Sequence, residues 1–189
     1  NTLVHAVVAY ELCNGCRAGC WFCGVSADDF QSYWPHTPDN ATLWRDVLTV
    51  MKTTFGEATK TGFAYWATDP LDNPDYTDFM KDHYDINGFT PQITTAVAAR
   101  DLDFTKRVIN AYREHELAPN RFSILTLKAL RAIHTAFSPR ELLQIELVLQ
   151  HKNTKLFKKA CSGKAREAIN KLKGRNQTDK ARVLTDQMM

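Results

Sequence analysis

Short apolar segments typical of buried β-strands alternate with helical segments along most of this chain, and this alternation constrains the fold more than any other feature. Strands are predicted at residues 2–12, 62–68, 92–98 and 121–125, and helices at about 40–55, 76–84, 101–115 and 126–137. Because strands that alternate with helices form a parallel sheet covered by helices, we predict an α/β fold. Four or five β/α units are too few for an eight-fold barrel, so an open sheet or a partial barrel fits the length.

Several helix boundaries carry a local signal. Asp39 or Asn40 can cap the first helix, and Gly56 ends it. Ser138 begins a capping box with proline at the first helical position. The apolar residues 142–149 that follow form a helix or a fifth strand, and the polar C-terminal residues are predicted to be helical.

The size and composition exclude several classes of protein. With 189 residues, 44% hydrophobic and 24% charged, the chain can bury a core, which excludes global disorder and a disulfide-stapled miniprotein. No apolar run approaches the roughly 20 residues that span a bilayer, and no signal-peptide pattern precedes the first predicted strand. We therefore predict a cytoplasmic protein without membrane association. Because the chain begins at Asn1, we expect it to be a piece of a longer protein.

The net charge of +3 is unevenly distributed. Residues 152–189 contain eight Lys, three Arg and three acidic residues, for a net charge of +8, which leaves −5 for residues 1–151. We predict a core at residues 1–151 and a basic helical tail at residues 152–189. A basic tail can contact nucleic acid or an acidic peptide. A solvated helical face is the favoured interpretation, so nucleic acid is not an expected partner.

Four of the five cysteines fall within eleven residues: Cys13, Cys16, Cys20 and Cys23. Clustering on one loop argues against a disulfide framework, which ties distant segments together, and favours thiolates that converge on a metal. Two interpretations compete. All four thiolates could close a tetrahedral zinc site. Alternatively, Cys16, Cys20 and Cys23 could bind three irons of a 4Fe–4S cluster and leave the fourth iron open.

The C-x3-C-x-aromatic-C arrangement of Cys16, Cys20, Phe22 and Cys23, directly after the first predicted strand, resembles the radical S-adenosylmethionine (radical SAM) superfamily. The resemblance implies a partial (β/α)6 barrel in which the three cysteines hold a 4Fe–4S cluster and SAM binds the open iron. An electron donor such as flavodoxin or ferredoxin then drives cleavage of SAM to a 5′-deoxyadenosyl radical, which abstracts a hydrogen atom. Phe22 would pack against the cluster and exclude water.

A narrower resemblance extends from about Cys16 to about Ser162. The segments that carry it are residues 20–27, 65–76, 91–96, 120–126 and 146–150. They are similar to radical SAM peptide epimerases, which act on ribosomally synthesised precursor peptides (RiPPs) and convert L-residues to D-residues. The implied substrate is therefore a precursor peptide.

The resemblance also implies contacts to SAM at the ends of the second and third strands. Many radical SAM enzymes hold the SAM amino group with a Gly-Gly-Glu stretch after strand two, where this chain has Thr68 and Asp69. Asp69 could equally cap the turn before Pro70. On the third strand, Gln92 and Thr94 share one face and are candidate ligand contacts.

Three further residues are candidate SAM contacts. Ser123 and Thr126 lie at the end of the fourth strand and could contact the ribose or carboxylate, although Thr126 could merely cap the next helix. Trp66, at the end of the second strand, could stack on the adenine.

Epimerisation also needs a hydrogen donor on the opposite face of the Cα radical, and a cysteine thiol is suitable. With three cysteines assigned to the cluster, the candidates are Cys13 and Cys161. The resemblance places the donor further toward the C-terminus than Met189, so a chain that ended there would lack it. Two alternative functions stay open: another radical SAM peptide maturase that cross-links or excises residues, and a non-enzymatic zinc-binding module.

Overall fold

The computed structural model describes residues 6–112, 119–151, 154, 159–186 and 188. The helices in these residues are α1 (Pro38–Phe55), α2 (Tyr76–Asn87), α3 (Leu102–Tyr112), α4 (Leu127–Ala136), α5 (Pro139–Leu142), α6 (Gly163–Gly174) and α7 (Thr178–Thr185). Short 3-10 helices occupy Gly56–Thr61 and Pro70–Asp72. The strands are β1 (Cys13–Asn14), β2 (Ser32–Tyr33), β3 (Thr94–Thr95), β4 (Asn120–Ile124) and β5 (Ile145–Leu149).

Three strands form a parallel sheet in the order β3-β4-β5. Thr94 pairs with Arg121, and Phe122 pairs with Leu147. In the chain, α3 lies between β3 and β4, and α4 and α5 lie between β4 and β5. This is the parallel arrangement that alternating strands and helices predict. Of the two predictions for residues 142–149, the strand is confirmed, because β5 occupies most of that segment.

The first three predicted strands are shorter than expected, and β3 occupies only Thr94–Thr95 of the predicted residues 92–98. Residues 1–5 lie outside the described residues, and the rest of the first segment pairs with the second through a single parallel bridge between Ala9 and Phe63. Tyr10 N donates to Phe63 O at 2.9 Å. The prediction of regular strands over residues 6–12 and 62–68 is therefore wrong in extent, since a turn at Ala67, with φ of 53°, ends the pairing. The described residues form no closed barrel, and the partial (β/α)6 barrel stays a prediction.

Most helix boundaries follow their local signals. Gly56 ends α1, Thr126 caps α4, and Ser138 forms the predicted capping box with Glu141. The predicted N-cap of α1 is wrong, because Thr37 accepts the hydrogen bond from Asn40 N at 3.3 Å. Proline is pre-organised for the first helical position, so Pro38 places the cap one residue before it. The predicted third helix ends at Tyr112 in the described part, and its remainder lies outside that part.

The two long N-terminal helices form the α1–α2 layer of the core. Trp44 of α1 and Phe79 of α2 are almost fully buried, and Trp44 Nε1 donates to Phe79 O at 2.9 Å. Trp34 stacks on Phe79 with ring centroids 5.2 Å apart. The same hydrophobic cluster includes Phe122 and Ile124 of β4, so this layer and the parallel sheet share one core.

The C-terminal helices build a second, smaller apolar cluster. Ala165 and Ile169 of α6 are buried with Met188, and Trp21 and Phe22 pack against them. The basic tail predicted as a solvated face therefore buries one side of α6 near the predicted cluster-binding loop. Among the described helices, none has both the length and the apolar character needed to cross a bilayer.

Candidate functional site

The predicted metal ligands lie on the cysteine loop, defined here as residues 15–31, which joins β1 to β2. Because β1 and β2 pair antiparallel, the two ends of this loop meet. Cys16 N donates to Asp28 O at 2.9 Å and closes the base of the loop. Gly15 has a φ of 78°, and a Cβ added there would lie 2.3 Å from Asp29 O. Glycine is therefore required where the loop turns.

The cysteine loop covers a cavity of about 300 Å³ at the C-terminal ends of β3 and β4. Ligand sites in parallel α/β folds lie at this edge of the sheet. Nine of the residues predicted from the sequence line the cavity: Cys16, Cys20, Phe22, Cys23, Trp66, Thr68, Asp69, Thr94 and Ser123. The structure thus brings together side chains from four separate segments of the chain.

The thiols of the loop are half-buried and electrostatically linked. Burial raises the pKa of Cys16 to about 11, and the Asp69 and Asp72 carboxylates also raise it. Burial raises the pKa of Cys20 to about 12, with smaller contributions from Cys16, Asp69 and Cys23 in the same direction. In the protein alone, the raised pKa values of Cys16 and Cys20 favour the neutral form of these two thiols. A bound cation would favour the thiolate form, since metal binding displaces thiol protons.

Two backbone amides point at the sulfurs of predicted ligands. Ala18 N lies 3.4 Å from Cys16 Sγ, and Ala27 N lies 3.4 Å from Cys23 Sγ. Hydrogen bonds to cysteine sulfurs are among the interactions that tune iron–sulfur clusters. Among the described residues, no three His, Cys, Asp or Glu side chains are grouped as ligands of a single ion.

Asp69 is a buried carboxylate with structural partners. It caps the 3-10 helix Pro70–Asp72 by accepting from Leu71 N at 3.0 Å. It also accepts from Ala96 N and from Thr95 Oγ1, each at 2.8 Å. Burial raises the pKa of Asp69 to about 6 despite these hydrogen bonds. Thr95 Oγ1 also lies 3.0 Å from the second carboxylate oxygen, so both oxygens of Asp69 already have protein donors.

Asp72 holds the cysteine loop against the turn that follows the second predicted strand. Its side chain is fully buried, accepts from Arg17 N at 2.8 Å, and forms an ion pair with Arg100 at 2.7 Å. Arg17 directly follows Cys16, so this contact positions the first predicted ligand. Sequence reasoning missed Asp72. An acidic residue in a turn-rich segment carries no local signal that it will be buried.

Tyr65 is a second residue that sequence reasoning did not assign. It lines the cavity, and its hydroxyl lies 3.1 Å from Thr94 Oγ1 and 3.3 Å from Gln92 Oε1. Gln92 does not line the cavity, and its Nε2 donates to Pro119 O at 3.0 Å. Among the described residues that line the cavity, Tyr65 is therefore the one that links Gln92 to the site.

Three other predicted residues lie away from the cavity lining. Cys13 is buried in β1, and burial raises its pKa to about 12. Thr126 caps α4 by accepting from Ala129 N at 3.1 Å, which is the structural alternative considered for it. Cys161 is exposed two residues before α6.

Lys164, in the first turn of α6, lines the cavity and contacts the cysteine loop at two points. Its backbone N donates to Cys23 O at 2.9 Å, and its Nζ donates to Ala27 O at 2.6 Å. Lys164 also acts to lower the pKa of Cys20, against the larger effect of burial. The sequence showed this lysine only as part of a basic tail.

Comparison with known proteins identifies a relative. No protein-family model matches the chain, and no solved structure matches it. The chain is 44% identical over 176 residues to a protein of Sinorhizobium fredii named "Uncharacterized protein y4wI". The match covers 93% of this chain and 34% of that protein. The chain therefore spans about a third of the length of the curated relative it matches.

Proposed function

We propose that this chain is the core of a radical SAM enzyme that epimerises residues of a ribosomally synthesised precursor peptide. The observation that supports this most strongly is the common cavity. Cys16, Cys20 and Cys23 line it together with Asp69 and Thr94, although these groups come from separate segments of the chain. Parallel strands end at this cavity, where ligands bind in α/β folds.

The donor set fits a 4Fe–4S cluster better than a single zinc ion. In a cubane cluster each thiolate binds a different iron, so the three sulfurs stand further apart than the ligands of one ion. The described residues offer no compact set of ligands for one ion, and Cys13, the fourth thiolate of a zinc site, does not line the cavity. Cys16, Cys20 and Cys23 would hold the cluster, which with SAM would supply the hydrogen-abstracting radical.

The other residues that line the cavity offer groups suited to SAM. Asp69 accepts hydrogen bonds and carries a negative charge when ionised, which suits an ammonium group. Thr94 and Ser123 present hydroxyls, and Tyr65 orients Thr94. Trp66 is 49% exposed and lines the cavity, so its ring has a free surface for a purine base.

Inversion at Cα requires hydrogen removal from one face and delivery to the other. Neither candidate donor lines the cavity, but Cys161 is exposed, and its neighbour Ser162 lies close to Gly24 of the cysteine loop, which favours Cys161 over the buried Cys13. A thiol that donates its hydrogen atom becomes a thiyl radical. The external electron donor must then supply one electron, and solvent one proton, to restore the thiol.

Anaerobic reconstitution with iron and sulfide tests the proposal. We expect about four irons per chain and reductive cleavage of SAM. Exchanging Cys16, Cys20 and Cys23 for alanine should abolish both, whereas Cys13→Ala should preserve iron binding. Stoichiometric zinc without iron uptake would exclude the radical SAM assignment.

Turnover in heavy water then separates epimerisation from other peptide chemistry. A thiol exchanges its proton with solvent, so each converted residue should carry one deuterium at Cα. Cys161→Ala should stop this incorporation while SAM cleavage continues. A cross-linked or shortened peptide without deuterium at Cα would instead identify another peptide maturase.

A further inference from the structure

We propose that the start of α6 is a clamp that holds the cysteine loop in its ligand-binding conformation, with Lys164 as its positioning residue. The inference deepens the proposed function, on which its cluster-related part rests. The clamp is defined as Ser162, Gly163 and Lys164.

The clamp contacts the segment of the loop that carries the third ligand. Lys164 N donates to Cys23 O at 2.9 Å, and Lys164 Nζ donates to Ala27 O at 2.6 Å. These two carbonyls flank the turn in which Ala27 N donates to Cys23 Sγ. Lys164 therefore restrains both ends of the segment that orients this sulfur. A restraint of this kind limits the orientations open to a metal ligand.

Glycines permit the close approach of the two segments. Gly163 has a φ of 47°, and a Cβ added there would lie 2.4 Å from Cys23 O. A Cβ added to Gly24 would lie 2.9 Å from Ser162 Oγ. Any side chain at Gly163 would thus both strain the backbone and push α6 away from the loop.

An apolar contact and a charge complete the arrangement. Phe22 packs against the apolar side chains of Ala165 and Ile169, so α6 also holds the loop through apolar contacts. Among the described residues that line the cavity, Lys164 is the only lysine or arginine. Its positive charge would stabilise the negative charge that three thiolates bring into the cavity.

Two variants with matched controls test the clamp. Lys164→Met removes the charge and the bond to Ala27 O, and Lys171→Met removes an exposed lysine from the same helix. Gly163→Ala introduces the steric conflict, and Gly174→Ala adds a methyl group where nothing lies within 4 Å. Lys164→Arg keeps the charge, so it should slow the release of iron and the exchange of the loop amides relative to Lys164→Met.

Three readouts are measured on the full chain. The first is hydrogen exchange of the amides of residues 23–27 without iron, which should be faster in Lys164→Met and Gly163→Ala than in their controls. The second is iron release to a chelator after reconstitution, which should be about tenfold faster or more in the same two variants. The third is the reduction potential of the cluster, which should shift to more negative values in Lys164→Met because a positive charge beside the cluster is lost.

Equal exchange and equal iron release in test and control variants would overturn the clamp. If the wild-type chain binds no iron, the proposed function fails, whereas hydrogen exchange without iron still decides whether the clamp exists. Faster exchange in the two clamp variants alone would then support the clamp without the cluster.

Discussion

The α1–α2 layer and the cysteine loop are stabilised by different forces. In the α1–α2 layer, Trp44, Leu48 and Phe79 are almost fully buried and pack through their rings and aliphatic groups. The cysteine loop instead leaves its three predicted ligands half-buried and is held mainly by hydrogen bonds to backbone carbonyls and to Asp72. Apolar burial supplies most of the free energy of folding, whereas directional polar contacts determine geometry.

The stability of the protein and the geometry of its site should therefore depend on different residues. Changes in the α1–α2 layer should unfold the protein, and changes in the cysteine loop should alter the site while the fold persists. Four predictions test that separation.

Truncation of the central aromatic residue should have the largest effect. Phe79 is fully buried and contacts Trp34, Trp44 and His36. Phe79→Ala should lower the free energy of unfolding by about 3–5 kcal/mol, because it removes apolar contacts and leaves a cavity. Urea denaturation measures the change. Phe55→Ala, which removes a ring that is 42% exposed, is the control and should cost far less.

Loss of the buried carboxylate that anchors the cysteine loop should have an intermediate effect. Asp72→Ala removes the partners of Arg17 N and Arg100 and should lower the free energy of unfolding by about 2 kcal/mol. Arg100 is 39% exposed, so water can solvate its charge afterwards. Arg121→Ala, which breaks a surface ion pair with Glu146, should cost about 0–1 kcal/mol. Equal losses in the two variants would contradict the buried role of Asp72.

The affinity for SAM should depend on the ionisation of Asp69. Its pKa is raised to about 6 by burial, so protonation below that pH removes the negative charge that would attract the SAM ammonium group. Affinity measured on the reconstituted protein should fall about tenfold per pH unit below the pKa. Asp69→Asn should weaken binding and remove this pH dependence. A flat profile in the wild-type protein would show that Asp69 serves only as a cap.

The same titration affects folding in the opposite direction. The folded-state pKa of Asp69 exceeds the ordinary value of 3.8, so the folded protein holds this proton more tightly than the unfolded chain does. The contribution of Asp69 to stability is therefore fully present below the ordinary pKa and is lost as the pH rises through about 6. The ionised form that suits SAM is thus the less stable one without a ligand.

The helix cap at the end of β4 should have the smallest effect. Thr126→Ala removes the acceptor for Ala129 N and should cost about 1 kcal/mol of unfolding free energy, measured by thermal denaturation. SAM affinity should be unchanged, because Thr126 does not line the cavity. Thr126→Ser retains the hydroxyl and is the control. A loss of SAM affinity in Thr126→Ala would instead support the contact between Thr126 and SAM that the sequence predicted.

Local patterns predicted the helices better than the strands. The caps at Gly56, Thr126 and Ser138 are confirmed because each depends on residues within one helical turn. The pairing of β1 with β2 had no such signal, since it joins Cys13 to Tyr33 across a loop and involves only two residues on each side. The first three predicted strands were too long, because apolar composition does not show where strand pairing ends.

The sequence by itself predicted a parallel sheet and most helix ends, since strand periodicity and helix caps are local properties. Nine of the predicted site residues line one cavity, whereas Cys13, Gln92, Thr126 and Cys161 do not. Only the tertiary structure decided which other groups join them. Lys164 contacts Ala27 across 137 positions, and Asp72 contacts Arg17 across 55. Contacts this distant depend on how the whole chain packs, and no local pattern of residues encodes them.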